Sequence, residues 1–317
     1  MDDTTQIINR VLPVLILIGL GSWIRQSRFL AESTVEDLRK IVVNLALPSV
    51  LFLSFLQIEL RLSYLVIFVG LFLLCVALFG LGQLLKDRLQ IQQPYFPFLM
   101  TGFEYGMLGV SLFGSAYGLE NIGYIAVVDL GHEIFIWFVF LALLLMKRDG
   151  LQNPAQLIQA FFKSPVIIAI LAGILLNLIG AKQFLFERPI TGAMMLTLQF
   201  LSNLTIPLIL IIVGYGIRLD RHGFRDAILV IGVRLAILIP LALILNIILI
   251  RELLDLEKPF EVALFTLLIL PPPFIIPLYA RTERDNEKRY INNVLTLYTM
   301  ISIIIFTLYF ILNPQLQ

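Results

Sequence analysis

The chain has 317 residues, of which 59% are hydrophobic and 14% charged, with a mean hydropathy of +0.93. Soluble domains are about 45–50% apolar and about 25% charged, so this composition excludes a water-soluble globular domain and predicts an integral membrane protein. The net charge of +1 is too small for nucleic-acid binding through bulk electrostatics. The single cysteine, Cys75, excludes an intrachain disulfide and a multi-thiolate metal site.

Ten apolar segments are long enough to cross the hydrocarbon core, which requires about 20 helical residues. Strand-like alternation of polar and apolar residues is absent, so the sequence predicts an all-α polytopic membrane protein. We number the segments as spans 1 to 10, and they cover residues 6–24, 36–57, 62–85, 95–118, 121–146, 163–180, 190–216, 223–250, 260–280 and 290–312.

The basic residues predict the orientation of these spans. Most of the 23 Lys and Arg residues lie in the connections that follow spans 1, 3, 5, 7 and 9. The positive-inside rule therefore places these connections in the cytoplasm and both termini outside.

The two halves of the chain share a sequence pattern. Asn44 precedes Pro48 in span 2 as Asn203 precedes Pro207 in span 7, 159 residues later. A proline frees the carbonyl four residues before it, so both freed carbonyls belong to asparagines. Two interpretations stay open: the asparagines line a substrate path, or they tie helices together.

The shared pattern predicts an internal duplication. Each half holds five spans, and because five is odd, the second copy must enter the membrane upside down. We therefore predict two inverted five-helix repeats, formed by residues 1–150 and 151–317.

Spans 4 and 9 carry helix-breaking features. Span 4 has four glycines, and span 9 has three consecutive prolines, which remove three helix donors. Irregular backbone at membrane depth is tolerated only inside protein or beside a wet cavity. We therefore predict that both spans unwind and meet, near Gly106 and Pro272, to form the substrate pocket; close helix packing is the alternative interpretation of the glycines. The candidate substrate-binding residues are Asn44, Glu104, Gly106, Gly109, Ser111, Pro271, Pro272, Pro273 and Asn203.

Five ionisable residues fall within predicted spans and are candidates for proton or ion coupling: Glu104, Asp129, His132, Glu133 and Arg234. Asp129 and Glu133 share a helix face, and Asp129 also lies within reach of His132. Glu104 and Arg234 have similar predicted depths, which makes them a candidate pair. A static buried network is the alternative role for the group.

The charge of Glu104 bears on the substrate. Paired with Arg234, Glu104 is neutralised and an anionic substrate fits; unpaired, it is a candidate proton site or a counter-ion for a cationic substrate. Sodium coupling through unwound carbonyls and hydroxyls such as that of Ser111 stays open. No metal site or cofactor motif is predicted.

The chain resembles the auxin efflux carrier family, PIN-like and bacterial permeases of the bile-acid and arsenite transporter fold. The resemblance rests on Leu47-Pro48-Ser-Val-Leu-Phe, Phe103-Glu-Tyr-Gly106-Met-Leu-Gly109-Val-Ser-Leu with Tyr117-Gly118, Asp129-Leu-Gly-His132, Ile206-Pro207-Leu with Gly214, and the prolines before Tyr279. The family pattern generally has Asn where this chain has Glu104, and Pro where it has Ser111.

This resemblance implies a scaffold of spans 1, 2, 6 and 7 and a mobile transport domain of spans 3–5 and 8–10, crossing at spans 4 and 9. It implies elevator-type secondary transport of a small organic anion, a carboxylate or an auxin-like weak acid, with a proton as one candidate coupling ion. A bacterial inner-membrane location is expected, and the oligomeric state stays open, with a homodimer that pairs through the scaffold as one alternative. A carrier of a cationic or neutral solute, or one coupled to sodium, is the alternative.

Enzyme functions are not favoured. His132-Glu133-Ile-Phe-Ile136 begins like a zinc-protease motif but has Ile136 at the second ligand position. Ser111 with His132 is a distant alternative as an intramembrane serine protease. No phosphate-binding loop is present in the sequence, which excludes ATP-driven transport by this chain alone.

Overall fold

The structure is a computed structural model that describes residues 3–149, 159, 162–217, 224–279 and 285–316, and regular structure within these residues is helical. The helices are α1 (Asp3–Gln26), α2 (Glu32–Gln57), α3 (Tyr64–Arg88), α4 (Phe96–Leu99), α5 (105–117), α6 (119–149), α7 (Pro165–Leu178), α8 (Lys182–Glu187), α9 (Pro189–Gly216), α10 (Phe224–Leu253), α11 (Lys258–Leu268), α12 (Ile276–Tyr279) and α13 (Asp285–Leu312).

Several helices are long and apolar enough to cross a membrane, and they lie in α2, α3, α6, α9, α10 and α13. Helices α1 and α7 contain shorter apolar stretches, Val11–Gln26 and Pro165–Leu178. The protein is therefore an all-helical, polytopic membrane protein, as predicted. The grouping of ten spans into two inverted repeats stays a prediction, and the predicted boundary at residue 150 lies outside the described residues.

The prolines of spans 2 and 7 deform their helices at matching places. In α2, residues Val42–Ala46 form a π-helical turn, and the N–H of Leu47 donates to the carbonyl of Val42. The wider turn accommodates Pro48, which has no N–H to donate. In α9, the helix is interrupted by a turn at Leu204, three residues before Pro207.

Close helix packing defines a first group of helices, α1, α2, α7 and α9. Helix α1 lies along α9, where Gly21 packs against the carbonyl of Ile211 and Gly214 packs against that of Ile18. Helix α7 lies along α2, with Gly173 against a backbone carbonyl of α2. Glycine at these contacts lets the two backbones approach each other closely.

A second group contains α3, α6, α10, α11 and α13. Helix α3 packs on α6 where Gly131 contacts the carbonyl of Phe68, α11 also packs on α6, and α10 packs on α13. Cys75 of α3 is fully buried, and its carbonyl accepts a hydrogen bond of 2.9 Å from the hydroxyl of Thr101. This bond ties α3 to the segment that separates α4 from α5.

Candidate functional site

The two broken spans meet. Span 4 is unwound at residues 101–104, and span 9 is non-helical at residues 269–275. The N–H of Glu104 donates to the carbonyl of Pro271 at 2.8 Å. The two breaks thus meet as predicted, but the first lies at residues 101–104 and not at Gly106, which is helical. We call these two segments the crossover, and their role as the substrate pocket stays a prediction.

Glu104 links α5 and α12, the two helices that follow the breaks. Its Oε1 accepts from the N–H of Met107 in the first turn of α5 (3.2 Å), and its Oε2 accepts from the N–H of Phe274, just before α12 (2.6 Å). The exposed fraction of Glu104 is 9%. Unpaired N–H groups at helix N-termini carry partial positive charge, which a carboxylate complements. The carboxylate therefore satisfies backbone donors from both halves of the chain.

Arg234 of α10 contacts the opposite ends of the broken helices. Its guanidinium donates to the carbonyl of Leu99 at 3.0 Å, to that of Leu270 at 3.3 Å and to that of Gly102. Leu99 ends α4, and Leu270 lies just beyond the end of α11, so these carbonyls carry the negative ends of the helix dipoles. Among the described residues, Arg234 forms no ion pair with Glu104. The hypothesis of a direct pair is therefore wrong: the two charged groups bind oppositely polarised backbone ends.

Asp129, His132 and Glu133 lie on α6 behind the first break. Oδ1 of Asp129 is 2.7 Å from Nδ1 of His132, and Nε2 of His132 accepts from the N–H of Phe103 at 2.9 Å. Because Nε2 accepts, the ring proton belongs on Nδ1, and the contact with Asp129 is a hydrogen bond from a neutral ring. Glu133 accepts instead from Trp137 Nε1 at 2.8 Å. The three side chains bring ligand-type atoms within 4.8 Å of one another, but His132 already uses both nitrogens.

A cavity of about 300 Å³ adjoins the crossover. It lies between α2, α5, α9 and α13, where the two helix groups face each other. Met107 and Phe274, whose N–H groups bind Glu104, line it together with Thr299 of α13. Arg39 of α2 also lines it and pairs with Glu36 at 3.3 Å. Among the described residues that line the cavity, Arg39 is the basic one.

The remaining candidates of span 4 occupy different environments. Gly109 packs against Leu270 of the second break and is part of the crossover contact. Gly106 lies in the first turn of α5 and faces Leu47 of α2. Ser111 is fully buried, and its hydroxyl donates to the carbonyl of Leu108 on its own helix at 2.9 Å. Its hydroxyl is thus engaged within α5.

Asn44 and Asn203 lie on the exposed surface of α2 and α9 and not in the cavity lining. The side-chain amide of Asn44 donates to the carbonyl of Lys40 at 2.8 Å. Proline position predicted the helix distortions correctly, but it carries no information about which way the asparagine side chains face.

The sequence interpretation missed Arg39. It lies four residues after Val35 and three after Glu36, in a charged run that resembles an ordinary cytoplasmic helix end. Its helical spacing from the buried Val35 was the one indication that it faces inward.

A family model described as membrane transport protein matches residues 6–310. The chain belongs to this family. The resemblance to the PIN-like auxin efflux and membrane transport family is thereby confirmed. A protein described as an uncharacterized transporter from Methanothermobacter thermautotrophicus is 30% identical over 234 residues, which cover 72% of this chain and 74% of that protein. Family membership makes the chain a membrane transporter.

Proposed function

We propose that the protein is a secondary carrier that moves a small organic anion across the membrane by an elevator-type, alternating-access mechanism. The observation that carries the proposal is the crossover beside the cavity: two interrupted spans bind each other through Glu104, Pro271 and Phe274. Paired breaks of this kind in corresponding spans are the best pointer to a carrier site.

The packing of the helices supports an inverted-repeat assignment. Spans 1 and 7 pack together as α1 and α9, and spans 6 and 2 pack together as α7 and α2. Spans 3 and 5 pack together as α3 and α6, and spans 8 and 10 pack together as α10 and α13. An inverted repeat relates spans 1, 2, 3 and 5 to spans 6, 7, 8 and 10. The contact of span 1 with span 7 therefore corresponds to that of span 6 with span 2, and the contact of span 3 with span 5 to that of span 8 with span 10. We therefore assign spans 1, 2, 6 and 7 to the scaffold and spans 3–5 and 8–10 to the transport domain, with the cavity at their boundary.

Arg39 is the group that we propose to bind the substrate carboxylate. The positive N-terminal ends at the crossover are already complemented by Glu104, so a second anion there would be repelled. Arg39 instead presents its guanidinium to the cavity, where the carboxylate of a substrate would replace Glu36 as its partner. The volume is at the lower end of the range for small-molecule sites, about 300–1,000 Å³.

Arg39→Gln is expected to raise the KM for an anionic substrate about 10-fold or more, because a hydrogen bond to a charged group contributes roughly 1.5–3 kcal/mol. Initial uptake rates in proteoliposomes measure this effect. Lys40→Gln is the matched control, since Lys40 is exposed, pairs with Asp37 and does not line the cavity. Glu36→Gln is expected to lower the KM, because it removes the competing carboxylate. An unchanged KM in Arg39→Gln would reject the assignment of Arg39.

The proposed function itself is tested by electrical recording from proteoliposomes with mono- and dicarboxylates, indole acids and organic cations, across pH. Saturable currents and counterflow with an organic acid are expected. The orientation proposed from the basic residues, with both termini outside, places the cavity on the cytoplasmic side of a bacterial inner membrane. Because Glu32 and Glu36 also line the cavity, a response confined to cations would replace the anion by a cationic substrate.

A further inference from the structure

We infer that the guanidinium of Arg234 is a built-in cation that holds the crossover in place of an alkali ion, so that transport requires no sodium. The inference rests on the proposed function as a secondary carrier and concerns its coupling.

The position of Arg234 is that of a cation site. In broken-helix carriers, unwound carbonyls and the C-terminal ends of half-helices coordinate the coupling cation. Here Arg234 donates hydrogen bonds to backbone carbonyls of both broken spans: those of Leu99 and Gly102 in span 4 and that of Leu270 in span 9. A single side chain thus makes the contacts that would otherwise recruit an ion.

The surroundings compensate a permanent positive charge without a carboxylate. Arg234 is fully buried, and the rings of Phe103 and Tyr298 lie 5.1 and 5.3 Å from its guanidinium carbon. No ion pair to Arg234 is present among the described residues. Carbonyl dipoles and aromatic faces both attract cations, and an arginine cannot lose its proton in a protein. The charge is therefore permanent, whereas a bound ion exchanges.

The neighbouring carbonyls of the crossover already accept other hydrogen bonds. The carbonyl of Ile269 accepts from the hydroxyl of Ser302 at 2.7 Å, and that of Pro271 accepts from the N–H of Glu104 at 2.8 Å. The carbonyl of Glu104 accepts from the N–H of Gly109 at 3.1 Å. Each of these carbonyls has used one of its two lone pairs, which leaves fewer acceptor sites at the crossover for an additional alkali ion.

The first test measures initial transport rates of the wild-type protein in proteoliposomes with sodium, potassium or N-methylglucamine as the external cation. Rates that agree within about a factor of two are expected, and an imposed sodium gradient is expected to drive no accumulation. Strict dependence on sodium would overturn the inference. If no organic ion is transported under any condition, the proposed function fails, and the second test still examines Arg234.

The second test needs no substrate. Arg234→Ala is expected to lower the Tm of the purified protein, and millimolar guanidinium is expected to restore part of the loss, while equal choline does not and the wild-type Tm is unaffected. Arg225→Ala, an exposed position on the same helix, is the control. Should Arg234→Ala not fold, Arg234→Lys keeps the charge with fewer donors and is expected to have a Tm below that of the wild type. A wild-type Tm in Arg234→Ala, or in Arg234→Lys where that variant is needed, would overturn the inference.

Discussion

Glu104→Gln is expected to abolish pH-driven uptake by proteoliposomes while leaving substrate exchange in place at a reduced rate. A glutamine cannot take up and release a proton, and it offers one acceptor oxygen where the carboxylate offers two. Its NH₂ group would face the N–H of either Met107 or Phe274 and leave that donor unsatisfied. An unsatisfied buried donor costs about 1–3 kcal/mol, so the exchange rate should fall even without proton coupling.

Two variants distinguish the loss of a proton-binding group from the loss of the hydrogen bonds that Glu104 accepts. Glu104→Asp keeps a carboxylate with a shorter reach, and it is expected to retain pH-driven uptake at a lower rate. Glu133→Gln changes another carboxylate within a span, which is only partly buried and whose described partner is Trp137 and not the crossover backbone. If Glu104→Gln keeps the proton dependence of the wild type, Glu104 is not the coupling site; loss of that dependence in Glu133→Gln alone would assign it to Glu133.

Gly102→Val is expected to eliminate transport and to lower the Tm. Gly102 has a φ of +70°, which costs an L-residue roughly 1–2 kcal/mol. An added Cβ would lie 2.7 Å from Cγ of Pro273 and 2.9 Å from Cδ1 of Ile136, so the side chain would push the two breaks apart. Overpacking of this kind costs a further 1–3 kcal/mol, roughly. Uptake assays and thermal unfolding in detergent measure the two effects.

Gly106→Ala is the comparison variant in the same span, because Gly106 does not line the cavity. Its added Cβ would meet Cδ2 of Leu47 at 3.5 Å, an ordinary van der Waals contact, and Gly106 lies in helical backbone. Transport and Tm close to those of the wild type are therefore expected. Equal losses in Gly102→Val and Gly106→Ala would mean that the crossover does not depend on the left-handed conformation of Gly102.

The break in span 9 could be predicted from sequence, whereas the exact break in span 4 could not. Pro271, Pro272 and Pro273 lack the backbone donors that a helix requires, so their position alone indicates where the helix ends. Four glycines in span 4 gave no such indication. The unwinding occurs at residues 101–104, where Gly102 has a positive φ, and not at Gly106, because only the contact with the second break decides which glycine must bend.

The sequence predicted those contacts of the candidate site that join residues close together in the chain. Asp129 and His132 are three residues apart on one helix, and they are in contact. Glu104 and Arg234 were matched by depth, but depth does not specify which end of a broken helix each side chain reaches. Arg39 was missed because the cavity is formed by helices far apart in the chain, and no periodicity reports which of them face one another.

The burial of Cys75 has a practical consequence for testing the proposed elevator motion. The native thiol is inaccessible to aqueous reagents, since its exposed fraction is 0%. Cysteines introduced on α2 and α13, on either side of the cavity, can therefore carry spin labels or fluorophores in the otherwise natural chain. Distance distributions between such labels, with and without transportable solute, would measure the displacement of one helix group against the other directly.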